Sequence, residues 1–371
     1  MSIDLHTEEM TINMGPHHPA THGVFRMILK LDGEIIKDCI PIIGYLHRSL
    51  EKMGETMIYP QYIPVLDRFD YLGNLFGEYV FVSAVEKIGN IEVPERAEYL
   101  RVITMELNRI ASHLFWLGSF LLDMGATSII IYAVREREII VDLLEELTGQ
   151  RMMYNYFRFG GVRYDIPDSG WLKRVKEFTT VQRKRIVEYE KIITNNPIFL
   201  QRVKNIGIIS AKDAINYGAM GPILRGSGVP WDLRKDDPYS VYNKFDFKIP
   251  TGKVGDTFDR YMVRIQEMYQ SCNIIDQAVD NIPSGEITSK KKIPVTFKIP
   301  AGEVYTHVEA PRGNMGCYLI SDGTSKPARV KLRGASFVNL EILPLVLQGV
   351  NVSDIMPIFA SFDIVLPEVD R

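Results

Sequence analysis

Apolar residues at Leu100, Ile103, Leu107, Ile110, Leu114, Leu117 and Leu121 alternate spacings of three and four. That period predicts a long helix with one face in the core, running from Pro94 to Gly125 over about eight turns. The stretch SIIIYAVREREIIVDLLEELTG predicts a second helix stopped at Gly149. A more polar third starts near Asp168 and ends before Pro197, and Phe258, Met262, Ile265, Cys272, Ile275, Val279 and Ile282 mark a fourth. Both ends of the chain change period. VFRMILKL and EIIKDCIPI read as strands flanking Asp32-Gly33, a dipeptide that type I′ hairpin turns favour. From Ile293 onward EVYTHVEA, CYLISDG and ARVKLRG return to strands, and VNLEILPLVLQG suggests a short closing helix.

The fold class expected is therefore mainly α with β-rich N- and C-terminal regions. Residues 1–60 form the β hairpin region, 61–290 a helical core, and 291–371 a β-rich region closing on that core, integrated into a single domain. Residues 218–239, GAMGPILRGSGVPWDLRKDDPY, are rich in Gly, Pro and charge. They are too long for a plain connector and stand as a candidate functional loop.

Charge and composition narrow the function. A net charge of −3 gives no reason to invoke nucleic acid. Cys39, Cys272 and Cys317 stand far apart with no C-x-x-C pair, which argues against a disulfide framework, a zinc ribbon or an iron-sulfur site. MSIDLHTEEM lacks the basic and apolar regions of a signal peptide, so export is not expected. The most apolar segment is interrupted by Asp123 and Gly125, so no membrane span is expected, although docking onto a membrane through partners is open. G-x-G-x-x-G, Walker A and G-x-S-x-G motifs are absent.

The stretch GPHHPATHG, Gly15 to Gly23, places His17, His18 and His22 between two prolines and two glycines. Proline fixes its own φ and pushes the preceding residue out of the α region, which predicts a rigid, non-helical loop. By itself the loop supports three readings: a metal site, a ligand-binding site, or a packed loop with satisfied imidazoles. No third metal ligand at recognisable spacing is evident. Asp123 near the end of an apolar helical face reads as a solvated helix end or as a carboxylate paired with a histidine. Arg68 and Tyr71 in RFDYLGNL carry little weight alone. His47, Arg48 and Glu51 read as a solvated face, His113 as a packed core histidine, the REREII stretch as ion pairing on a helix, and Lys290 to Lys292 as a solvated linker.

Together the blocks say more. NMGPHHPATHGVFR, GYLHRSLEK, ELNRIASHLFWLG, IYAVRERE, GQRMMYNYFRFGGV, LRGSGVPWDLRK and the terminal SFDIVLPEVDR resemble, in order and spacing, the 49-kDa-type (D-type) subunit family of respiratory complex I. The resemblance covers nearly the whole chain. It implies a fold like the large subunit of nickel-iron hydrogenases, to which that family is related. Those enzymes hold metal with two C-x-x-C pairs, one near each end. The corresponding regions here, DRFDYL and FDIVLPEVDR, have no cysteine, so a thiolate cage is impossible and hydrogenase activity is not expected.

The resemblance further implies a quinone-reducing core subunit of a proton-translocating NADH-quinone oxidoreductase, active only within the assembled complex. Electrons would pass from a partner's terminal [4Fe-4S] cluster to a quinone bound between the two subunits. Carried over position by position, His22 and Tyr71 would bind the quinone oxygens, His18 would line the same site, and Asp123 would pair with the histidine. Arg68, Met153 and Tyr154 would lie beside the partner cluster. No cofactor or metal is expected on this chain itself, with NADH oxidised elsewhere in the complex. Partners implied are the cluster-bearing B-type subunit, the C-type subunit and the membrane arm, with peripheral attachment at the cytoplasmic side of the cell membrane. Three departures stand out: Ser49 and Pro367 occupy positions often held by glycine in relatives, and Met153 and Tyr154 occur where many relatives carry histidine. The competing readings are a non-catalytic scaffold subunit, which loss of His22 or Tyr71 would have favoured, and a metal-dependent hydrolase built on His17, His18 and His22, which lacks its remaining ligands.

Overall fold

The computed structural model describes residues 9–17, 23–291 and 293–371. At the front, β1 (Glu9–Met14), β2 (Arg26–Asp32) and β3 (Ile35–Ile42) form an antiparallel sheet in that order. Alternation along β2 sends Met27, Leu29 and Leu31 inward. Asp32 pairs with Ile35, so the turn residues are Gly33 and Glu34, and the positive φ falls on Gly33 alone. Type I′ needs positive φ at both central residues. With glycine first, the backbone takes the type II′ pattern instead, which corrects the turn expected from Asp32-Gly33.

Three helices then turn back on one another: α1 (Leu50–Thr56), α2 (Tyr59–Leu66) and α3 (Asn74–Gly89). Helix α3 crosses the end of α2 so closely that a Cβ at Gly77 would sit 2.6 Å from the Leu66 carbonyl oxygen. Only glycine permits that approach. The long helix predicted from periodicity is α4 (Glu95–Asp123), packed against α5 (Ser128–Thr148), whose left-handed cap is Gly149 as the sequence indicated. Strands β4 (Phe157–Arg158) and β5 (Gly161–Val162) make a minimal hairpin. The third predicted helix is α6 (Trp171–Tyr189), starting three residues later than Asp168 and extended by a π-helical turn over Glu190–Thr194.

Residues 218–239 do not form an open loop. After α7 (Pro197–Val203) and α8 (Ala211–Asn216), they fold into α9 (Pro222–Gly226) and α10 (Leu233–Asp236), burying Arg225, Asp232 and Arg234 completely or nearly so. Helix α11 (Thr257–Asn281) runs through the centre against α4. A second antiparallel sheet, β6 (Gly302–Ala310), β7 (Gly313–Ser321) and β8 (Arg329–Arg333), packs on α3. The closing helix expected at VNLEILPLVLQG is split into α12 (Ala335–Leu340) and α13 (Leu343–Leu347), with Pro344 in the first turn of the latter. Two further helices, α14 (Ile355–Phe362) and α15 (Leu366–Asp370), end the chain.

The apolar core has two parts. One gathers α2 to α6, α11 and the second sheet. The other joins the first sheet to α12 to α15. The seam is bridged at α4, where Trp116 donates its indole N–H to the Ala360 carbonyl at 2.8 Å. Among the described residues no helix is long and apolar enough to cross a membrane.

Candidate functional site

The C-terminal segment ties the molecule together through polar groups. Asp370 accepts the backbone N–H groups of Gly44 and Leu46, each at 2.7 Å, and its carbonyl bonds the His47 ring at 2.8 Å. Glu368, fully buried, accepts the N–H groups of Ala335 and Ser336 at the start of α12, at 2.6 and 3.2 Å. Burial and the nearby charge of Asp70 push its carboxyl up to about 7. Asp363 has a left-handed backbone, φ 58.

Arg312, in the β6–β7 turn, joins this segment to the DRFDYL turn. One guanidinium nitrogen donates to Asp70 Oδ2 at 2.7 Å, another to Asp363 Oδ1 at 3.3 Å, and Nε to the Asp363 carbonyl at 2.9 Å. All three side chains are buried. The DRFDYL turn and the C-terminal segment are thus brought together by an arginine between two carboxylates. Tyr71 follows Asp70 directly and is 37% exposed. Burial raises its hydroxyl pKa, while the Arg312 charge opposes the rise. Gly23, the residue after His22, also meets this segment: a Cβ there would lie 2.5 Å from Leu366 Cδ1, and Phe25 stacks on Phe359 at 5.2 Å.

His18 and His22 lie outside the described residues, so their predicted roles rest on sequence. Asp123 ends α4, the helix that reaches the same C-terminal segment through Trp116. Arg68 is exposed, with one nitrogen donating to the Pro64 carbonyl at 2.6 Å. Across from the Arg68 turn lies the segment 153–157, where Met153 and Asn155 adopt left-handed backbones. Tyr154 is buried and its hydroxyl pKa is raised by burial, so it stays protonated at neutral pH. Ser49, before α1, also has a left-handed backbone, φ 57.

Behind the site lies a buried chain of ions that sequence reading missed. Arg225 donates to Glu267 and Glu309, at 2.6 and 2.7 Å. Arg234 bonds Asp232 at 2.7 Å and Glu106 at 3.3 Å, and Glu106 also accepts from Tyr242 and Ser271. Each of these buried carboxylates has an arginine partner, which outweighs desolvation at Glu106, Asp232 and Glu267 and only partly offsets it at Glu309, whose carboxyl is raised. His113 is a packed core histidine, as expected. Burial first, opposed by Glu267, lowers its pKa to about 4, so the neutral ring donates Nε2–H to Glu267 at 2.9 Å. The three cysteines are free and buried, each thiol pushed up to about 12 chiefly by desolvation. Among the described residues no cluster of three or more metal-ligating side chains is present. A cavity of about 590 Å³ opens elsewhere, between Glu86, Asn90, Tyr239 and His307, and does not include Tyr71.

Comparison with known proteins bears on this arrangement. The family described as respiratory-chain NADH dehydrogenase, 49 Kd subunit, matches residues 123–371, well over half of the chain. The NADH-quinone oxidoreductase D subunits of Bacillus thuringiensis (strain Al Hakam) and of Bacillus anthracis are each 52% identical over 366 residues, covering 99% of this chain and 100% of theirs. The D subunit of the same enzyme from Bacillus mycoides (strain KBAB4) is 51% identical over 367 residues, with the same coverage. A match of this extent, on a chain about half helical with small antiparallel sheets, means that the protein belongs to the 49-kDa, or D-type, subunit family of the respiratory-chain NADH dehydrogenase, complex I.

Proposed function

We propose that this complex I subunit reduces quinone at Tyr71 and His22. The observation that carries the reading is Tyr71 itself: a partly exposed phenol beside the buried Asp70–Arg312–Asp363 clamp, whose C-terminal arm continues to Leu366 against Gly23, the residue following His22. Such a clamp is rigid, and a rigid support is what a hydrogen-bond donor to a ligand needs. Two electrons from the partner's [4Fe-4S] cluster and two protons convert a quinone to a quinol. Tyr71 O–H and imidazolium His22 donate hydrogen bonds to the two quinone oxygens and then the protons, His18 lines the site, and Asp123 is the carboxylate that pairs with His22.

A buried Arg312 close to Tyr71 stabilises the phenolate left after proton donation, against the opposing carboxylates. Arg68, Met153 and, buried behind them, Tyr154 lie beside the cluster-bearing B-type subunit. The overall fold is that of the nickel-iron hydrogenase large subunit, integrated as one domain, with its metal cage replaced by the arginine clamp. C-type and membrane-arm subunits complete the assembly, which holds the chain peripherally on the cytoplasmic side of the cell membrane.

Tyr71→Phe tests the reading, because it removes only the hydroxyl from a ring of nearly the same shape. The assembled complex is expected to lose most quinone reductase activity, while reduction of an artificial acceptor that draws electrons upstream stays at wild-type level. Wild-type rates with both acceptors would remove Tyr71 from the site.

A further inference from the structure

Beneath Arg68 the protein buries two carboxyl groups against each other. Asp67 ends α2 and Glu78 lies on α3, brought close by the Gly77 crossing; neither side chain is exposed, and neither forms an ion pair among the described residues. Their outer oxygens hold backbone: Asp67 Oδ2 accepts Asn155 N–H at 3.1 Å, and Glu78 Oε2 accepts those of Tyr156 and Phe157 at 2.9 and 2.8 Å. Their other oxygens, Asp67 Oδ1 and Glu78 Oε1, are buried with no hydrogen-bond partner, and the two carboxyls are brought together by holding the consecutive backbone amides 155 to 157.

Two carboxylates so placed cannot both be ionised; one proton between them satisfies both of these oxygens at once. We propose that Asp67 and Glu78 share a single proton and act as positioning residues, a proton-bridged clamp that holds the Asn155–Phe157 backbone against the turn carrying Arg68 and Tyr71.

The surroundings support this. The facing groups are the guanidinium groups of Arg68 and Arg158, which favour ionisation, and the phenols of Tyr154 and Tyr156. Arg158 is occupied by Asn155 Oδ1 and the Phe157 carbonyl, and Arg68 by the Pro64 carbonyl. Burial outweighs both cations. It pushes the Asp67 carboxyl up to about 6, and Glu78, which also feels the Asp67 charge, well above its ordinary range. The clamp thus supplies a titratable group on a face where Met153 and Tyr154 supply none. Loss of the proton sets two anions against each other and loosens the 155–157 segment. The clamp stands on its own geometry; only the importance of what it positions rests on the proposed function.

Hydrogen exchange of the assembled complex, read at amides 155–157 and corrected for intrinsic rates, tests it between pH 6 and pH 9. Wild-type protection is expected to fall by at least about tenfold, the change that one linked proton gives per pH unit. Glu78→Gln keeps the backbone acceptor and turns a permanent N–H toward Asp67, so its protection is expected to stay within about twofold across the range. Asp67→Asn makes the same lock from the other side and is expected to behave alike. Flat protection in the wild type overturns the proposal, as does an equal fall in wild type and Glu78→Gln. If neither variant assembles, the wild-type slope alone decides. Quinone reduction does not enter this readout, so failure of the Tyr71 assignment leaves it intact.

Discussion

Replacing Arg312 with methionine keeps much of the side-chain volume and removes one cation from between two buried carboxylates. In the native protein the guanidinium makes three contacts of 2.7 to 3.3 Å with Asp70 and Asp363, and it is fully enclosed. Removing the cation from such a buried arrangement costs about 3–5 kcal/mol, because the two carboxylates lose their shared counter-charge without gaining solvent. At about 1.4 kcal/mol per factor of ten, local opening of the C-terminal segment should increase by roughly two to almost four powers of ten. Hydrogen exchange of residues 363–370 in the assembled complex measures that opening directly. Arg312→Lys, which keeps the charge but cannot span both carboxylates as a planar fork, should fall between the two. Exchange in Arg312→Met within about threefold of wild type at pH 8 would refute the claim that this arginine joins the chain ends.

Ser49→Gly relieves a left-handed backbone that costs serine roughly 1 kcal/mol more than glycine, so the variant complex should be more resistant to thermal inactivation by up to about that amount; an unchanged or lower resistance would mean that the conformation carries no strain. Glu368 has its pKa raised to about 7 in the fold, so the native state keeps a proton that the unfolded chain has lost. Its contribution is fully present below about pH 4.5, the ordinary carboxyl range, and falls by on the order of 3 kcal/mol as pH rises through 7. Glu368→Gln should flatten that part of the pH–stability profile, and a slope equal to wild type would assign the titration to another group.

What was legible in the sequence follows from how each segment meets its surroundings. Helix α4 has a core-facing stripe of period 3.6, and its ends fall close to those the spacing predicts. Helix α3 has no such stripe, because apolar residues run almost unbroken through its buried turns, whereas the equally buried α4 carries Arg101, Glu106, Arg109 and His113 off its apolar positions. The C-terminal segment is specified by bonds such as Gly44 to Asp370, 326 residues apart, which no local pattern reveals. Tyr71 becomes a candidate only through the family resemblance, since by itself it reads as a core aromatic, whereas Asp123 already offers a histidine-paired carboxylate beside the reading of a solvated helix end. The Asp67–Glu78 pair left a usable trace that went unread: Glu78 is an acid inside the apolar run NLFGEYVFVSAV, where an unpaired carboxylate is costly to bury.

The buried thiols have a practical consequence. Cys39, Cys272 and Cys317 are enclosed, and at neutral pH their thiols are almost entirely protonated and therefore poor nucleophiles. The natural sequence thus provides a chemically silent background for maleimide or spin-label attachment. A cysteine introduced at an open surface position, such as the 70% exposed Ile131, would become this protein's reactive handle, allowing distances from it to neighbouring subunits to be measured without first engineering out the native sulfurs.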